Sequence, residues 1–473
     1  MLRFVSGEPA AGGVSRREWL RIGGLAGLGL SAAALRSAAA PAARDFPGFG
    51  KAKSVILVYA SGGQSQLDTW DPKPHAPEEI RGAFRAIATS VPGTAVCEHL
   101  PRLARLANRY TLLRSLAHDD LDHGSASYLA LTGHFHARKS SNPLPTPADL
   151  PTYGAVVQRV RPSPRLPYSA VHLNGPALVP EIVAPGQFGG LLGRGYDPLV
   201  IGDPRAAVAL RGLDPAPELP PVRLQARRSL LESLDGYRRD LGRDRTALER
   251  NALYRQAYDL LGAPQCRRAF DLAREPLALR ERYGLNRPGQ ACLLARRLVE
   301  AGVPLITVVW SRCNRGQDKA PHDTEAYGWD THNDVFEALQ HHLLPHFDQG
   351  FSALLEDLDQ RGLLDTTLVV CMGEFGRAPR VALERTFAGT SPGRKHWAAV
   401  YSAVLAGAGV ARGGLCGASD RHGAYPRTPP AGPWDVAATL FAALGIDPSG
   451  HYHDAQGRPY PVCTGKPIRG VYG

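Results

Sequence analysis

The stretch Thr366-Thr367-Leu368-Val369-Val370-Cys371-Met372 decides the expected fold. This continuous apolar, β-branched run predicts a strand that is covered on both faces, as strands of parallel sheets are. The run breaks at Gly373 and leads into Glu374-Phe375-Gly376-Arg377. An acid and a guanidinium therefore follow the carboxyl end of a core strand, which is where open α/β sheets bind ligands.

Further along, Gly393-Arg394-Lys395-His396-Trp397 precedes a second strand-like run at residues 398–405. We expect the charged and imidazole side chains of the two segments to converge on one edge of the sheet. A salt-bridged turn from Glu374 to Arg377, with His396 on the surface, is equally consistent with this pattern.

Two other apolar runs, at residues 53–59 and 303–310, predict further core strands. The first leads through Gly62-Gly63 to Asp68 and Asp71, whose carboxylates could hold a hard divalent cation or could cap the next turn. The second leads to Asp330-Thr331-His332. Asp330 and His332 could face one ion, because alternate side chains of an extended segment point to the same side. Asp330 or Asn333 could instead cap the following helix.

Titratable residues crowd the segment His118-Asp119-Asp120-Leu121-Asp122-His123-Gly124-Ser125. A helix predicted to begin here would offer free N–H groups to an oxyanion. Asp122, His123 and Ser125 are candidates for a nucleophile, a base or a ligand, although Asp122 or Ser125 could merely cap the helix. Before this segment, residues 100–116 are predicted to form one amphipathic helix.

The amino-terminal segment is typical of an export signal. Ser15-Arg16-Arg17-Glu18-Trp19-Leu20 precedes a short Gly- and Ala-rich apolar stretch, as in twin-arginine signal peptides. The stretch is too short for a permanent membrane span. We therefore expect a signal peptide over residues 1–43 and a periplasmic or cell-envelope location. Residues 44–473 are predicted to form a single domain with a helical insertion at about residues 222–285.

The charge and cysteine content of the chain disfavour some classes of function. The formal net charge is +11, but no Lys/Arg block with interleaved aromatic residues occurs, which disfavours nucleic-acid binding. A mild positive field suits an anionic substrate or an anionic surface. The seven cysteines include no Cys-x-x-Cys, so no zinc knuckle or redox motif is predicted.

Five motifs follow one another in a fixed order, and together with the leader they resemble the exported bacterial family called domain of unknown function 1501. They are Gly-Gly-x-Ser-x-x-Asp-x-x-Asp-Pro, Asp-His-Gly-Ser-x-x-Tyr-x-x-Leu-Thr-Gly-His, Trp-Asp-Thr-His, Met-Gly-Glu-Phe-Gly-Arg-x-Pro and Gly-Arg-x-His-Trp. That family resembles the alkaline-phosphatase-like and sulfatase superfamily. The resemblance implies an α/β fold with a large, mostly parallel sheet and helices on both faces.

The same resemblance implies a site. A divalent metal ion would be held by residues matching the superfamily's ligands: Asp68 or Asp71, Asp330, His332, Glu374 and His396. The nucleophile position falls on His123, with Ser125 close by, and Arg377 and Arg394 would grip the anion. The chain departs from the superfamily pattern at Phe375, where a histidine ligand is usual, and at Lys395, where an acid is usual.

Two functions are expected from this set. The first is an exported metal-dependent hydrolase or transferase of phosphate, sulfate or related esters. The alternative is a non-catalytic exported protein of the same fold that binds an anionic ester or a glycan.

Overall fold

The computed structural model describes residues 45–164, 166–205, 229, 268–316 and 327–473. The strands in these ranges are β1 (Ser54–Tyr59), β2 (Ala86–Ala88), β3 (Ala95–Cys97), β4 (Thr111–Leu116), β5 (Ala170–Leu173), β6 (Leu178–Val179), β7 (Ile182–Val183), β8 (Leu199–Ile201), β9 (Leu305–Val309), β10 (Thr367–Met372), β11 (Gly376–Arg377), β12 (His396–Trp397), β13 (Tyr401–Ala406), β14 (Leu415–Cys416), β15 (His451–His453) and β16 (Pro459–Pro461).

The α-helices in the same ranges are α1 (Glu78–Arg81), α2 (Pro101–Arg105), α3 (His123–Thr132), α4 (Tyr153–Val160), α5 (Leu277–Tyr283), α6 (Arg287–Ala301), α7 (Val335–Glu337), α8 (Leu344–Gln360) and α9 (Pro433–Ala443). A π-helical segment, Ala338–Leu343, joins α7 to α8. Proline in a helix interior predicts a kink or a division, and Pro345 lies in the first turn of α8, where the π-helical segment ends. None of the described helices has the length and apolar character needed to cross a bilayer.

The main sheet of the described residues contains eight strands in the order β14-β4-β13-β10-β1-β9-β5-β8. Neighbouring strands are parallel, except that β13 runs antiparallel to both β10 and β4. The predicted α/β fold with a large, mostly parallel sheet is therefore confirmed. Tyr59 at the end of β1 is in register with Met372 of β10 and Val309 of β9. The carboxyl ends of these three central strands thus lie side by side.

Helices cover both faces of the sheet, as predicted. Side chains of β1 alternate between two hydrophobic cores: Ile56 and Val58 enter one, and Val55 and Leu57 enter the other. The first core also contains residues of α6 and α8, and the second contains residues of α4 and α9. Each fully buried Val or Leu contributes about 1.5–3 kcal/mol to this packing, so the central strands are firmly fixed.

The prediction of one helix over residues 100–116 is wrong. The helix α2 ends at Arg105, and Thr111–Leu116 forms strand β4. Leu112 packs into one core, whereas Leu113 packs into the other. This alternation between opposite faces suits a strand that is buried on both sides, and burial overrides the helical periodicity of the segment.

The sequence of residues 445–473 predicts a loose surface tail, and the structure shows that this prediction is wrong. Strands β15 and β16 pair as a hairpin within this segment, and Tyr452, Val462 and Val471 are buried in the second core. The predicted signal peptide, residues 1–43, lies outside the described residues. Most of the predicted helical insertion also lies outside them; its described part includes helix α5.

Candidate metal centre

The candidate site lies at the carboxyl ends of the central strands. His123 is the first residue of α3, and Glu374 follows β10. The short strand β11 pairs with β12, and this pairing places Arg377 opposite His396. The loop that contains Asp330 is anchored to the end of β9, because the Asp330 N–H donates to the carbonyl of Asn314 at 2.8 Å. Segments far apart in the chain therefore meet at one edge of the sheet.

Four side chains form a tight group, which we call the His3Asp group. Each offers a ligand atom, and these atoms all lie within 4.8 Å of one another; the members are His123, Asp330, His332 and His396. The Nε2 atoms of His123 and His332 each lie 3.1 Å from a carboxylate oxygen of Asp330. The Nε2 atom of His396 lies 3.3 Å from Asp330 Oδ1 and 2.9 Å from His332 Nε2.

Hydrogen bonds turn two of the imidazoles toward the group. His123 Nδ1 lies 2.6 Å from Glu374 Oε1, and His396 Nδ1 lies 2.6 Å from the carbonyl oxygen of Leu121. A carbonyl and a carboxylate accept hydrogen bonds, so in both rings Nδ1 carries the proton. Each Nε2 is thereby directed at the centre, as in the carboxylate–histidine–metal arrangements of metalloproteins.

Glu374 is held rigidly behind His123. Its side chain is fully buried and accepts the Gly62 N–H at 2.8 and 3.1 Å and the Tyr59 hydroxyl at 3.1 Å. Gly62 has a φ of +117°, and a Cβ there would lie 2.4 Å from the Asp330 nitrogen. Only glycine fits this close approach between the β1 turn and the Asp330 loop.

The three imidazoles of the His3Asp group differ in the direction in which their pKa values are shifted. Burial lowers the pKa of His332, and it lowers the pKa of His396 to about 3 with help from the positive charge of His123. Both rings are therefore neutral at pH 7, the state in which imidazole binds metals. Burial also opposes the charged form of His123, but the carboxylates of Asp330 and Glu374 outweigh it and raise the pKa of His123 to about 9.

Asp330 is the charged centre of the group. Burial would raise its pKa, yet His123 and Arg377 hold the pKa of this carboxyl well below its usual range. Arg377 Nη2 donates to Asp330 Oδ1 at 2.7 Å. The carboxylate is thus ionised and orientated by a guanidinium while its other oxygen faces His123.

The donor set fits a divalent metal ion. His123 Nε2 and His332 Nδ1 are buried and have no hydrogen-bond partner among the described residues, although His123 Nε2 lies close to Asp330. Three imidazole nitrogens and one carboxylate oxygen are the ligand types that bind zinc, iron and manganese. An ion within the group would take the place of the proton between His123 Nε2 and Asp330.

Three predicted metal ligands lie outside the His3Asp group, namely Glu374, Asp68 and Asp71. Glu374 accepts a hydrogen bond from His123 Nδ1 instead. Arg394, predicted to bind the anion, also lies outside the group. Asp68 accepts from Arg394 Nε at 2.7 Å and from Nη2 at 3.1 Å, and both side chains are fully buried. Asp71 accepts from the Ser419 hydroxyl and pairs with Lys73 at 2.9 Å. These contacts satisfy the carboxylates of Asp68 and Asp71 locally, and they occupy the guanidinium of Arg394.

Ser125 and Arg377 also have local partners. The Ser125 hydroxyl donates to Asp120 at 2.7 Å and accepts the Ser141 N–H at 3.2 Å, and its side chain is completely buried. Arg377 donates to Asp330 and to the carbonyl oxygens of Gly62 and Gly63. Ser125 thus stabilises the start of helix α3, and Arg377 orients the carboxylate of Asp330.

The chain belongs to the family described as Protein of unknown function (DUF1501). The family model matches residues 52–472, which confirms the family that the five motifs indicate. No functionally curated protein matches the chain.

Several solved structures are similar to this DUF1501 chain at low sequence identity. They include the PsFucS1 sulfatase from Pseudoalteromonas sp. (14% identity, 84% of this chain and 68% of that chain, TM-score 0.37). The phosphonate monoester hydrolase SpPMH from Silicibacter pomeroyi is another (12% identity, 89% and 76% covered, TM-score 0.40), as is the lipoteichoic acid synthase LtaP from Listeria monocytogenes (10% identity, 85% and 74% covered, TM-score 0.34).

A cavity of about 390 Å³ opens beside the His3Asp group. Its wall includes two residues that the sequence reasoning missed, Asn314 and Phe387. Asn314 comes shortly after β9, so the rule that ligands bind at the carboxyl ends of core strands would have pointed to it. Phe387 lies in an irregular loop with no sequence pattern of its own, and its ring stacks on His332 at 3.8 Å.

Proposed function

We propose that this protein is a metal-dependent hydrolase or transferase of phosphate, sulfate or related esters. The His3Asp group would hold one divalent ion beside the open cavity. The observation that carries the proposal is the convergence of three imidazoles and one ionised carboxylate within 4.8 Å at the carboxyl edge of the sheet. Two of those imidazoles have their Nδ1 atoms fixed by acceptors.

A divalent ion bound here would supply Lewis acidity and lower the pKa of a coordinated water. The chain's own residues orient this site. Glu374 accepts a hydrogen bond from Nδ1 of His123, and Arg377 donates a hydrogen bond to one oxygen of Asp330. Phe375 is fully buried and packs against the rings of His123 and His396, with centroids 4.9 and 4.8 Å away. This ring keeps water away from the back of the site, which strengthens the electrostatic interactions inside it.

The substrate in this proposal is an anionic ester, and the reaction takes place outside the cytoplasm. Arg315 lines the cavity and adds positive charge to its wall. The paired arginines Arg16 and Arg17 and the apolar stretch after them support export by the twin-arginine route.

A second candidate function is non-catalytic binding of an anionic ester or a glycan. Two observations favour it. The hydroxyl of Ser125 is engaged by Asp120, and Phe375 stands where the superfamily has a histidine ligand. Binding at the His3Asp group without turnover would fit both observations.

The decisive experiment measures bound metal and turnover on the same preparations. Purified protein would be analysed by mass spectrometry of the elements and assayed with 4-nitrophenyl phosphate, 4-nitrophenyl sulfate and 4-nitrophenyl phenylphosphonate. His332→Ala and His396→Ala test the group, and His75→Ala, which alters an exposed histidine, is the matched control.

We expect one ion per chain and turnover of at least one ester in the parent protein and the control, and loss of both in the two site variants. Stoichiometric metal without turnover would support the binding function. A folded protein that takes up no divalent ion would overturn the metal-dependent proposal.

A further inference from the structure

One wall of the cavity beside the His3Asp group contains an amide oxygen that has no hydrogen-bond partner among the described residues. Asn314 lines this cavity, yet only 1% of the residue is exposed. Its Oδ1 atom is buried and has no hydrogen-bond partner among the described residues. A buried amide oxygen without a partner costs about 1–3 kcal/mol. Such a group at the wall of a cavity is suited to a ligand that supplies the missing hydrogen bond.

The position of Asn314 is fixed by its main chain. Its N–H donates to the carbonyl of Leu178 at 3.2 Å, and its carbonyl accepts the N–H of Asp330 at 2.8 Å. The amide side chain is therefore tied to the same backbone that carries a member of the His3Asp group. A ligand bound at the group would meet Asn314 in a defined geometry.

Another part of the cavity wall is apolar and aromatic. The ring of Phe387 lies parallel to the ring of His332, with centroids 3.8 Å apart and an interplanar angle of 6°. Phe387 is nevertheless 42% exposed, so part of its ring remains available for contact. Val179 and Pro180 continue this apolar wall.

The loop that carries Phe387 is held in place by Asn333. The side chain of Asn333 donates to the carbonyl oxygens of Glu384, Phe387 and Ala388 at 2.9–3.2 Å, and it accepts the Glu384 N–H at 2.9 Å. Asn333 is fully buried and follows His332 directly. The aromatic surface is thus pre-organised with respect to the His3Asp group, which lowers the entropy lost on binding.

We propose that Asn314 and Phe387 bind the alcohol part of the ester, and that this part is a hydroxylated ring such as a sugar or a cyclitol. One apolar face of the ring packs on Phe387, and one of its hydroxyls hydrogen-bonds to Asn314. The inference rests on the proposed function, because it assigns the substrate of the same site. A cavity of about 390 Å³ is near the lower end of the range for small-molecule sites, roughly 300–1,000 Å³, and thus suits one small ring.

A ring without hydroxyls would bind less well for a physical reason. It would fill the cavity and exclude water, and Asn314 would stay unpaired. Sites built to hydrogen-bond a substrate hydroxyl reject analogues that lack it far more strongly than apolar pockets reject a missing methylene. The amide therefore sets specificity, and Phe387 contributes affinity for either ring.

The test compares matched rings on the metal-supplemented full chain. Binding of glucose 6-phosphate and cyclohexylmethyl phosphate, and of the corresponding two sulfates, would be measured by calorimetry, and release of phosphate or sulfate would be measured in parallel. The variants are Asn314→Ala and Phe387→Leu, with His75→Ala as the control, and the metal content of each is determined.

We expect the parent protein and the control to bind the glucose ester about 10–100-fold more tightly than its hydroxyl-free analogue. Asn314→Ala should abolish this preference while the metal content stays unchanged. Phe387→Leu should weaken the binding of both esters and keep the preference for the glucose ester.

Three results would overturn the inference: equal binding of the two rings by the parent protein, an unchanged preference in Asn314→Ala, or no binding of any of the four esters. Each of these can occur with one metal ion bound per chain and turnover of a 4-nitrophenyl ester, in which case the proposed function stands and the ring assignment falls. Failure of the proposed function itself would show as absence of bound metal, or as bound metal without turnover of any 4-nitrophenyl ester.

Discussion

Two buried ion pairs at the edge of the sheet have the same chemistry and different surroundings. Arg377 pairs with Asp330, and Arg394 pairs with Asp68, each at 2.7 Å. Both guanidinium groups are completely buried. The side chain of Asp68 is also completely buried, whereas that of Asp330 is 13% exposed.

The difference lies in what the second carboxylate oxygen meets. In Asp68, Arg394 reaches both oxygens and the Ser65 hydroxyl donates to one of them. In Asp330, the second oxygen faces His123, and the carboxylate borders the cavity. We call the Arg394–Asp68 pair the closed pair, because both carboxylate oxygens are bound and the pair joins two segments of the chain. We call the Arg377–Asp330 pair the open pair, because its carboxylate borders the cavity and can bind a ligand. Burial of an acidic side chain therefore does not reveal its role. The role depends on what surrounds the second carboxylate oxygen.

The largest effect is expected at the open pair. Asp330→Asn should leave the protein without bound divalent metal after dialysis, because an amide is a poor replacement for an anionic ligand. The amide oxygen can still accept from Arg377, so the fold should survive. Elemental analysis and circular dichroism would test this. Full metal occupancy in Asp330→Asn would remove the distinction between the two pairs.

At the closed pair the expected loss is one of stability. Asp68→Asn leaves the buried Arg394 without its anionic partner, and breaking a buried ion pair in this way costs about 3–5 kcal/mol. Urea unfolding would measure the change. The exposed pair of Arg85 and Glu98 supplies the control, since Glu98→Gln should cost less than about 1 kcal/mol. Loss of metal in Asp68→Asn at unchanged stability would instead make Asp68 a ligand.

A buried imidazole with no carboxylate beside it sharpens the comparison. His172 of β5 is 1% exposed, and neither ring nitrogen has a hydrogen-bond partner within the described ranges. Burial lowers the pKa of His172 to about 4. Because the unfolded chain binds the proton more readily, this residue makes stability fall as the pH drops from about 6.5 to about 4, by about 3 kcal/mol in total.

The variant His172→Leu should remove this loss of stability at low pH. The control variant His451→Ala, which alters an exposed histidine, should keep it. The measurement is the free energy of unfolding at several pH values between 4 and 7. An identical pH dependence in the parent protein and His172→Leu would contradict the assignment.

The smallest effect is expected behind the open pair, at the residue that orients His123. Glu374→Gln keeps the size of the side chain and removes its charge. Loss of such an outer carboxylate typically weakens metal binding 10–100-fold, or about 1.4–2.7 kcal/mol. Competition with a metal chelator would measure the affinity. An affinity equal to that of the parent protein would show that Glu374 does not support the site.

The sequence allowed the central strands to be predicted because their apolar runs are long and follow clear turn signals. It also predicted that residues after β9 and β10 meet at one edge, and the structure brings Asp330, His332 and His396 together there. It did not separate Asp68 from Asp330. Both acids follow a core strand, and the partner that closes Asp68 lies 326 residues away in the chain, so no local pattern identifies it.

The misassigned helix has a similar cause. Residues 100–116 carry a helical periodicity, but the part that forms β4 pairs with β13, nearly three hundred residues later: Leu112 is in register with Val404. Asn314 and Phe387 were missed because their roles depend on which neighbours they lack or stack against. Those neighbours are known only once the loops around the cavity are in place.

The spread of the His3Asp group along the chain has a consequence for biosynthesis. His123 is synthesised early, and His396 is reached only 273 positions later, on a short strand that pairs with β11. A nascent chain that still lacks this strand has at most three of the four donors. Under the proposed function, all four donors are in place only after β12 has been synthesised and has paired with β11. A cell that exports this protein in folded form would then have to complete the centre before translocation.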